Sequence, residues 1–483
     1  MTLPLPELIT NRGDVDRTFR YALADIYCNI HPYKGGLLDG ELVLSAGFDY
    51  LDPWTRDTAI NIRNGASLLI PDITHNNLLA TIMRKGDTVT LRDAPDSPER
   101  SQNYWDAVIW VIGAWHYYVY TGDKAFLDTA LQVARHAFEV FEESEFDTET
   151  GLFRGGAVYG DGIAAYPDHY AEPAWDHPDI GGWPERNPDR AHPKGTGLPM
   201  CTLSTNCMYV EAYRSAARIA REIGAGSGDA WESKANDLKD AINRAFWMEE
   251  EGTYRYLVDP FGGSDHQEGL GVSFAILFGI ADERQTARVL EKTYITPSGI
   301  ACVWPSFPRY HINEDTFGRH SGTVWPFIQA FWAEAALNGG RKDLFDKEFW
   351  ILTRLAFHSN GFFEIYHPFT GEPYGGVQEG IRWATWGSVP RQTWSASGYL
   401  RMVLVGIMGM KFSAEGVTFQ PSLPDGLTNA TLRSLPYRNM TLNITVEGTG
   451  NNITSIQING EPTAFLPSEG EGQQEIKITL GDA

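Results

Sequence analysis

Apolar residues recur with the 3.6-residue period of an α-helix in segment after segment of this 483-residue chain. The period predicts helices over about 15–30, 57–70, 74–84, 105–121, 124–143, 203–223, 229–246, 270–280, 283–295, 322–338, 342–358 and 391–409. Stop and start signals sharpen several of these. "TGDKAFLDTALQVARHAFEVFEE" opens after Gly-Asp, and "WPFIQAFWAEAALNGG" closes on a glycine pair. A helix with an apolar stripe must bury it against a partner, so a dozen of them demand one another.

Between the helices, residues 151–200, 252–269, 298–321 and 360–390 are rich in Gly, Pro and aromatic residues. They are too long to be simple connectors, and loops of that length are usually functional. Six antiparallel helix pairs with such loops gathered at one end predict a double-layered ring, the (α/α)6 toroid. From about residue 411 the texture changes to short runs alternating apolar and polar, such as "TLNITVEG" and "NNITSIQINGE", divided by Asp-Gly, Asn-Gly and Gly-Thr-Gly turns. The expected organisation is a helical domain over 1–410 and a small antiparallel, β-sandwich-like domain over 411–483.

Charge narrows the partners. With 62 acidic against 39 basic residues the formal charge is -23, which repels a phosphate backbone and argues against nucleic acid. The N-terminus lacks the basic start and apolar core of a secretory signal, and no apolar run is long enough to cross a membrane, so a cytoplasmic protein without a membrane partner is expected. Four cysteines are too few and too dispersed for a disulfide framework or a zinc site, and they read as buried thiols. No cofactor or metal is expected. The 15 Trp, 21 Tyr and 24 Phe fit a site whose rings stack on sugars, and equally a packed core.

Most of the acids must be solvated, so the informative ones lie in aromatic, Gly-rich loops. In "YLDPWTRDTAINIRNG", Trp54, Arg56 and Asp57 stand where a helix begins; Asp57 can cap that helix, bind sugar hydroxyls beside Trp54, or do both. In "SQNYWDAVIWVIGAWHYYVYTGD", Asp106 has first-turn spacing and Trp110 lies deeper, where packing competes with sugar contact. "YPDHYAEPAWDHPDIGGWPERN" crowds Asp168, Glu172, Asp176, Asp179 and Glu185 among rings and prolines, and such crowding raises the pKa of at least one carboxyl, as a general acid needs. "NGFFEIYHPFTGEPYGG" sets Glu364 alone among rings, where an acid is costly unless paired or at work. Two carboxylates flanking a glycosidic bond suffice for its hydrolysis, one protonating the leaving oxygen and the other activating water or attacking carbon.

These stretches resemble the (α/α)6-barrel glycoside hydrolases of the processing α-glucosidase, trehalase and mannosylglycerate hydrolase group, and the wider set of glucoamylases and glycogen-debranching enzymes. The resemblance runs from about residue 45 to 410. "DPWTRDTA" is similar to the pattern whose Trp, Arg and Asp hold the non-reducing sugar; "LSTNCMYVEAYRSAARIA" and "RHSGTVWPFIQAFWAEAA" are similar to core helices. "AEPAWDHPDIG" resembles the Glu-Ser-Gly-Trp-Asp motif of the general acid, which falls on Asp176, with Glu172 and Asp179 as alternatives because Pro173 and Ala174 replace Ser-Gly. "FFEIYHPFTGEPYG" resembles the motif of the general base, which falls on Glu364.

The resemblance implies an inverting glycosidase with Asp176 and Glu364 about 6.5–9.5 Å apart, acting on an α-linked glycoside, an α-glucoside of a small oligosaccharide first among them. Trp54, Arg56, Asp57, Asp106, Trp110, Glu172, Trp175, Trp183, Asn206, His320, Trp383 and Trp386 are the expected sugar-binding residues. A disaccharide phosphorylase on the same scaffold is the alternative chemistry, and a non-catalytic carbohydrate-binding protein the alternative class.

Overall fold

Eleven of the thirteen residues of the helix Ile109–Thr121 are buried, so it has no polar stripe and must be surrounded on all sides. The computed structural model describes residues 5–34, 38–85, 88–91, 104–171, 178–379 and 384–482. Twelve α-helices of nine or more residues occur among them: α1 Gly13–Cys28, α2 Thr55–Arg63, α3 Pro71–Ala80, α4 Ile109–Thr121, α5 Phe126–Ser144, α6 Leu203–Glu222, α7 Asp229–Phe246, α8 Gly269–Leu277, α9 Glu283–Lys292, α10 Pro326–Asn338, α11 Lys342–Ser359 and α12 Thr393–Arg401. Each lies within one predicted segment or overlaps most of it.

The even-numbered helices touch in series. α2 packs on α4, α4 on α6, α6 on α8, α8 on α10, α10 on α12, and α12 returns to α2. Odd-numbered helices pack against this series, with α5 on α4 and α6, α7 on α6, and α11 on α10 and α1. Composition explains the sorting. α8 and α10 are buried nearly all round, whereas α7 buries only one stripe: Ala235, Leu238, Ala241, Ile242 and Phe246. The inner helices approach closely enough that a Cβ on Gly113 of α4 would stand 2.9 Å from the Ala59 backbone of α2. At their C-terminal ends the Glu334 carboxylate accepts from Arg63 Nη1 at 3.0 Å and Arg401 Nη2 at 2.7 Å, tying α10 to α2 and α12.

The C-terminal region is a five-stranded sheet of β1 Glu7–Thr10, β2 Asn429–Tyr437, β3 Met440–Gly448, β4 Asn452–Ile458 and β5 Gly472–Gly481 in the order β1-β2-β3-β5-β4, with a smaller three-stranded sheet. Two features correct the sequence reading. β3 and β5 run parallel, because β5 enters between β3 and β4 instead of extending the meander. The first strand of the chain also completes this sheet, pairing Glu7 with Arg433. Cys28, read as a buried thiol, is exposed; the other three cysteines are buried. Among the described residues no helix is long and apolar enough to cross a membrane.

Some carboxylates stabilise the interior in a pH-dependent way. Glu268, wholly buried just before α8, accepts from the Ser204 N–H at 3.0 Å through one oxygen, and burial pushes its pKa up to about 8. A folded-state value above the unfolded one means that this contribution is complete below about pH 4.5 and lost as pH rises through about 8. Glu268→Gln, which mimics the protonated acid, should therefore flatten the fall of melting temperature between pH 5 and 8; an unchanged slope would show that Glu268 does not cause it.

Candidate active site

Five helices of the series, α2, α4, α6, α10 and α12, are preceded or opened by segments whose polar side chains come together. Arg56 and Asp57 occupy the first turn of α2, and Asp106 lies three residues before α4. Asp161 follows a stretch tied to the start of α6, where Ser204 Oγ accepts the Val158 N–H at 3.1 Å. Arg319 and His320 precede α10, and Glu364 precedes α12.

Two guanidiniums organise the cluster. Arg56 Nη1 donates to Asp106 Oδ2 at 3.2 Å and to the Val158 carbonyl at 3.0 Å, while Asp57 and Asp161 each lie 3.9 Å from other nitrogens of the same group. The guanidinium also lies over the Trp394 ring, 5.3 Å from its centroid. Arg319 Nη2 donates to both carboxylate oxygens of Glu364 at 2.9 Å and to the Tyr50 hydroxyl at 3.2 Å, and Trp386 covers its outer side at 5.8 Å. His320 Nε2 lies 3.2 Å from Asp161 Oδ1, its ring stacked between Tyr159 and Trp325.

The fields in this small volume push the carboxyls apart. Burial raises Asp57 to about 7 against the Arg56 charge, with Glu364 and Asp161 adding to the rise. Burial likewise lifts Glu364, opposed by Arg319. Burial acts upward on Asp161 too, but the His320 contact, Arg56 and Arg319 outweigh it and hold that carboxyl well below the usual range. Neighbouring acids with divided protonation are what acid and base catalysis at one bond requires. Among the described residues no group of three or more His, Cys, Asp or Glu side chains could hold a metal ion.

The sequence-predicted residues divide. Arg56, Asp57, Asp106, His320, Trp386 and Glu364 come together, and half-buried Trp54 stands immediately before α2. Glu172, Trp175, Asp176 and Trp383 lie outside the described residues. Three expected sugar contacts belong to packing instead. Trp110 is fully buried, donates to the Leu78 carbonyl at 3.0 Å and meets Phe126. Trp183 is fully buried against Tyr170 and Phe261. Asn206 commits its amide to the backbone of Phe153 and Thr202. Sequence reasoning passed over Asp161, Arg319 and Tyr50, although "VYGDGIAAYP" puts Asp161 in the Gly-rich loop already singled out.

The model of the mannosylglycerate hydrolase MGH1-like glycoside hydrolase domain matches residues 50–395, from Tyr50 through the start of α12. The chain belongs to that family. No curated protein matches the sequence. Solved structures share its fold at low identity. A sialidase matches with TM-score 0.65 and 13% identity over 98% of this chain and 40% of that one. A GH78 rhamnosidase of Bacillus sp. GL1 matches with TM-score 0.59 and 15% identity over 100% and 44%. The GH63 mannosylglycerate hydrolase of Thermus thermophilus, in complex with glucose, matches with TM-score 0.55 and 14% identity over 80% and 99%. The chain thus spans less than half of the first two and nearly all of the third.

The division between site and core can be measured. Trp110→Ala should cost about 3–5 kcal/mol in denaturant unfolding. Trp386→Ala, at an exposed ring, should cost about 1 kcal/mol or less while raising KM. Equal stability losses would contradict the assignment.

Proposed function

We propose that the protein is an inverting hydrolase of α-linked glycosides, with an α-glucoside of a small oligosaccharide as the leading substrate, and that its series of inner helices is the inner wall of an (α/α)6 toroid. The observation that carries the reading is Glu364, buried, fixed through both oxygens by Arg319, and electrostatically coupled to the accessible carboxylate of Asp161. Inversion needs a base that activates one water on the face of the sugar opposite the leaving group. Glu364 fills that role, and Asp176, with Glu172 or Asp179 as the alternatives, supplies the proton to the leaving oxygen.

Trp54 and Trp386 are the rings that stack on the sugar, and Arg56 with Asp57 binds its hydroxyls. Glucose bound to the GH63 neighbour supports a hexose here, and the activity for which that neighbour is named keeps mannosides among the candidates. A phosphorylase would need no base, and the use of Arg319 and Tyr50 to orient Glu364 favours hydrolysis.

The experiment is a panel of α-linked disaccharides with product configuration followed by NMR, with and without inorganic phosphate. The expected result is a β-configured sugar released without phosphate and loss of at least about a hundredfold in rate for Glu364→Gln. Retention of configuration would replace the water-activating role by a covalent one. Strict phosphate dependence would make the enzyme a phosphorylase.

A further inference from the structure

We propose that a cavity behind the Glu364 segment is a second carbohydrate site, which takes units of a neutral oligosaccharide away from the point of cleavage. The inference rests on the hydrolase reading for the class of sugar and goes beyond it by placing a site apart from the carboxylate cluster.

Alternation puts the cavity there. Phe363 and Glu364 are successive residues of a strand-like segment, and successive side chains of such a segment leave on opposite sides. Glu364 turns to Arg319. Phe363 turns the other way and lines a cavity of about 580 Å³ with Arg354 and His358 from the last turns of α11 and with Phe369, Thr370 and Glu372. A cavity of that size is in the range of small-molecule sites.

Its walls are fixed. Gly371 has a φ of +74°, and a Cβ there would stand 2.7 Å from Leu355 Cδ2 on α11, so the turn lies against the helix as only glycine allows. His367 Nδ1 accepts the Thr370 N–H at 3.2 Å and the Phe369 N–H at 3.3 Å, and the His367 N–H donates to the Glu372 carbonyl at 2.9 Å. Across the cavity Arg354 Nη2 donates to the Pro297 carbonyl at 3.1 Å. Walls held in this way lose little further freedom when a ligand enters.

The chemistry of the lining chooses the ligand. Phe369 is 46% exposed and meets half-buried Trp304 at 6.2 Å, and Trp304 stacks at 4.7 Å and 17° on Tyr294, which is 43% exposed. A row of rings open to solvent therefore leads from the cavity across the surface. Rings cover the apolar face of a sugar, while the hydroxyls at its edge need donors and acceptors together. Arg354 and the His358 ring donate, the Glu372 carboxylate accepts, and the Thr370 hydroxyl does both. Glu372 opposes the charge of Arg354 and the chain as a whole carries -23, so an anionic ligand gains little. A wholly apolar ligand would leave the polar groups without partners. A neutral sugar meets both requirements, with one unit in the cavity and the next over Trp304 and Tyr294. A chain held there raises the effective concentration of its other units at the carboxylate cluster.

The test titrates maltotriose, and in parallel an α-linked mannotriose, into Glu364→Gln, which leaves the ligand uncleaved, with binding followed by calorimetry and saturation-transfer NMR. Two sites are expected for at least one of the sugars. Adding Phe369→Ala should weaken one of them about twofold to tenfold, the effect of losing one stacked ring, and Glu372→Ala, an exposed change that spares the fold if Phe369→Ala does not, should weaken the same one. In the otherwise wild-type chain both substitutions should leave kcat/KM on α-glucosyl fluoride unchanged and raise KM on maltoheptaose. A single site for both sugars, or a second site that neither substitution weakens, would overturn the proposal. Displacement of the sugar from the second site by inorganic phosphate would overturn the neutral class of ligand. Binding at the second site by a wild-type chain that cleaves none of these glycosides would uphold the site and overturn the hydrolase reading alone.

Discussion

Four carboxylates and two guanidiniums share one poorly hydrated volume, and the rest of the structure is arranged so that they can. An unpaired buried charge costs several kcal/mol or more. Arg56 meets Asp106, Asp57 and Asp161, and Arg319 meets Glu364, so each cation offsets more than one anion or holds one through two oxygens. Geometry supplies the remainder. Asp57 stands in the first turn of α2 and Asp106 three residues before α4, where the positive ends of helix dipoles favour anions. At the other ends, Arg63 and Arg401 meet Glu334, which places cations where the dipoles are negative.

The helices were legible because burial on one side or all sides leaves a period in the sequence, and the period survives any arrangement of neighbours. The pairing of Glu7 with Arg433 was not, since a four-residue strand carries no sign of a partner at the far end of the chain. The same limit applies to the parallel pair β3 and β5: alternation reports a strand and its faces but not its direction.

Of the site, Glu364 was legible because an isolated acid among aromatic residues needs an explanation. Asp161 was not, because Gly-Asp-Gly is also ordinary turn chemistry. What sets it apart is the approach of Arg56 and His320, which are remote in sequence. Trp110, Trp183 and Asn206 erred in the other direction. A ring or an amide in a promising segment has the same letter whether it faces sugar or core, and only the partners, Leu78, Tyr170 and the Phe153 backbone, distinguish the two.

The strand-like segment that bears Glu364 is held along its backbone. The Phe362 N–H donates to Asp25 on α1 at 2.7 Å, the Glu364 N–H to the Val389 carbonyl at 2.8 Å, the Ile365 N–H to Ser388 Oγ at 2.9 Å, and the Tyr366 N–H to the Val324 carbonyl at 2.8 Å. Its neighbours on both sides are therefore backbone or short side chains already fixed by the helices. With the backbone pinned at nearly every residue and the carboxylate pinned by Arg319, little reorganisation is left to accompany bond breaking, and preorganised charge is the largest single source of catalysis in sites of this kind. The more exposed side chains of the cluster are Trp386 and Asp161, where movement does not disturb Glu364.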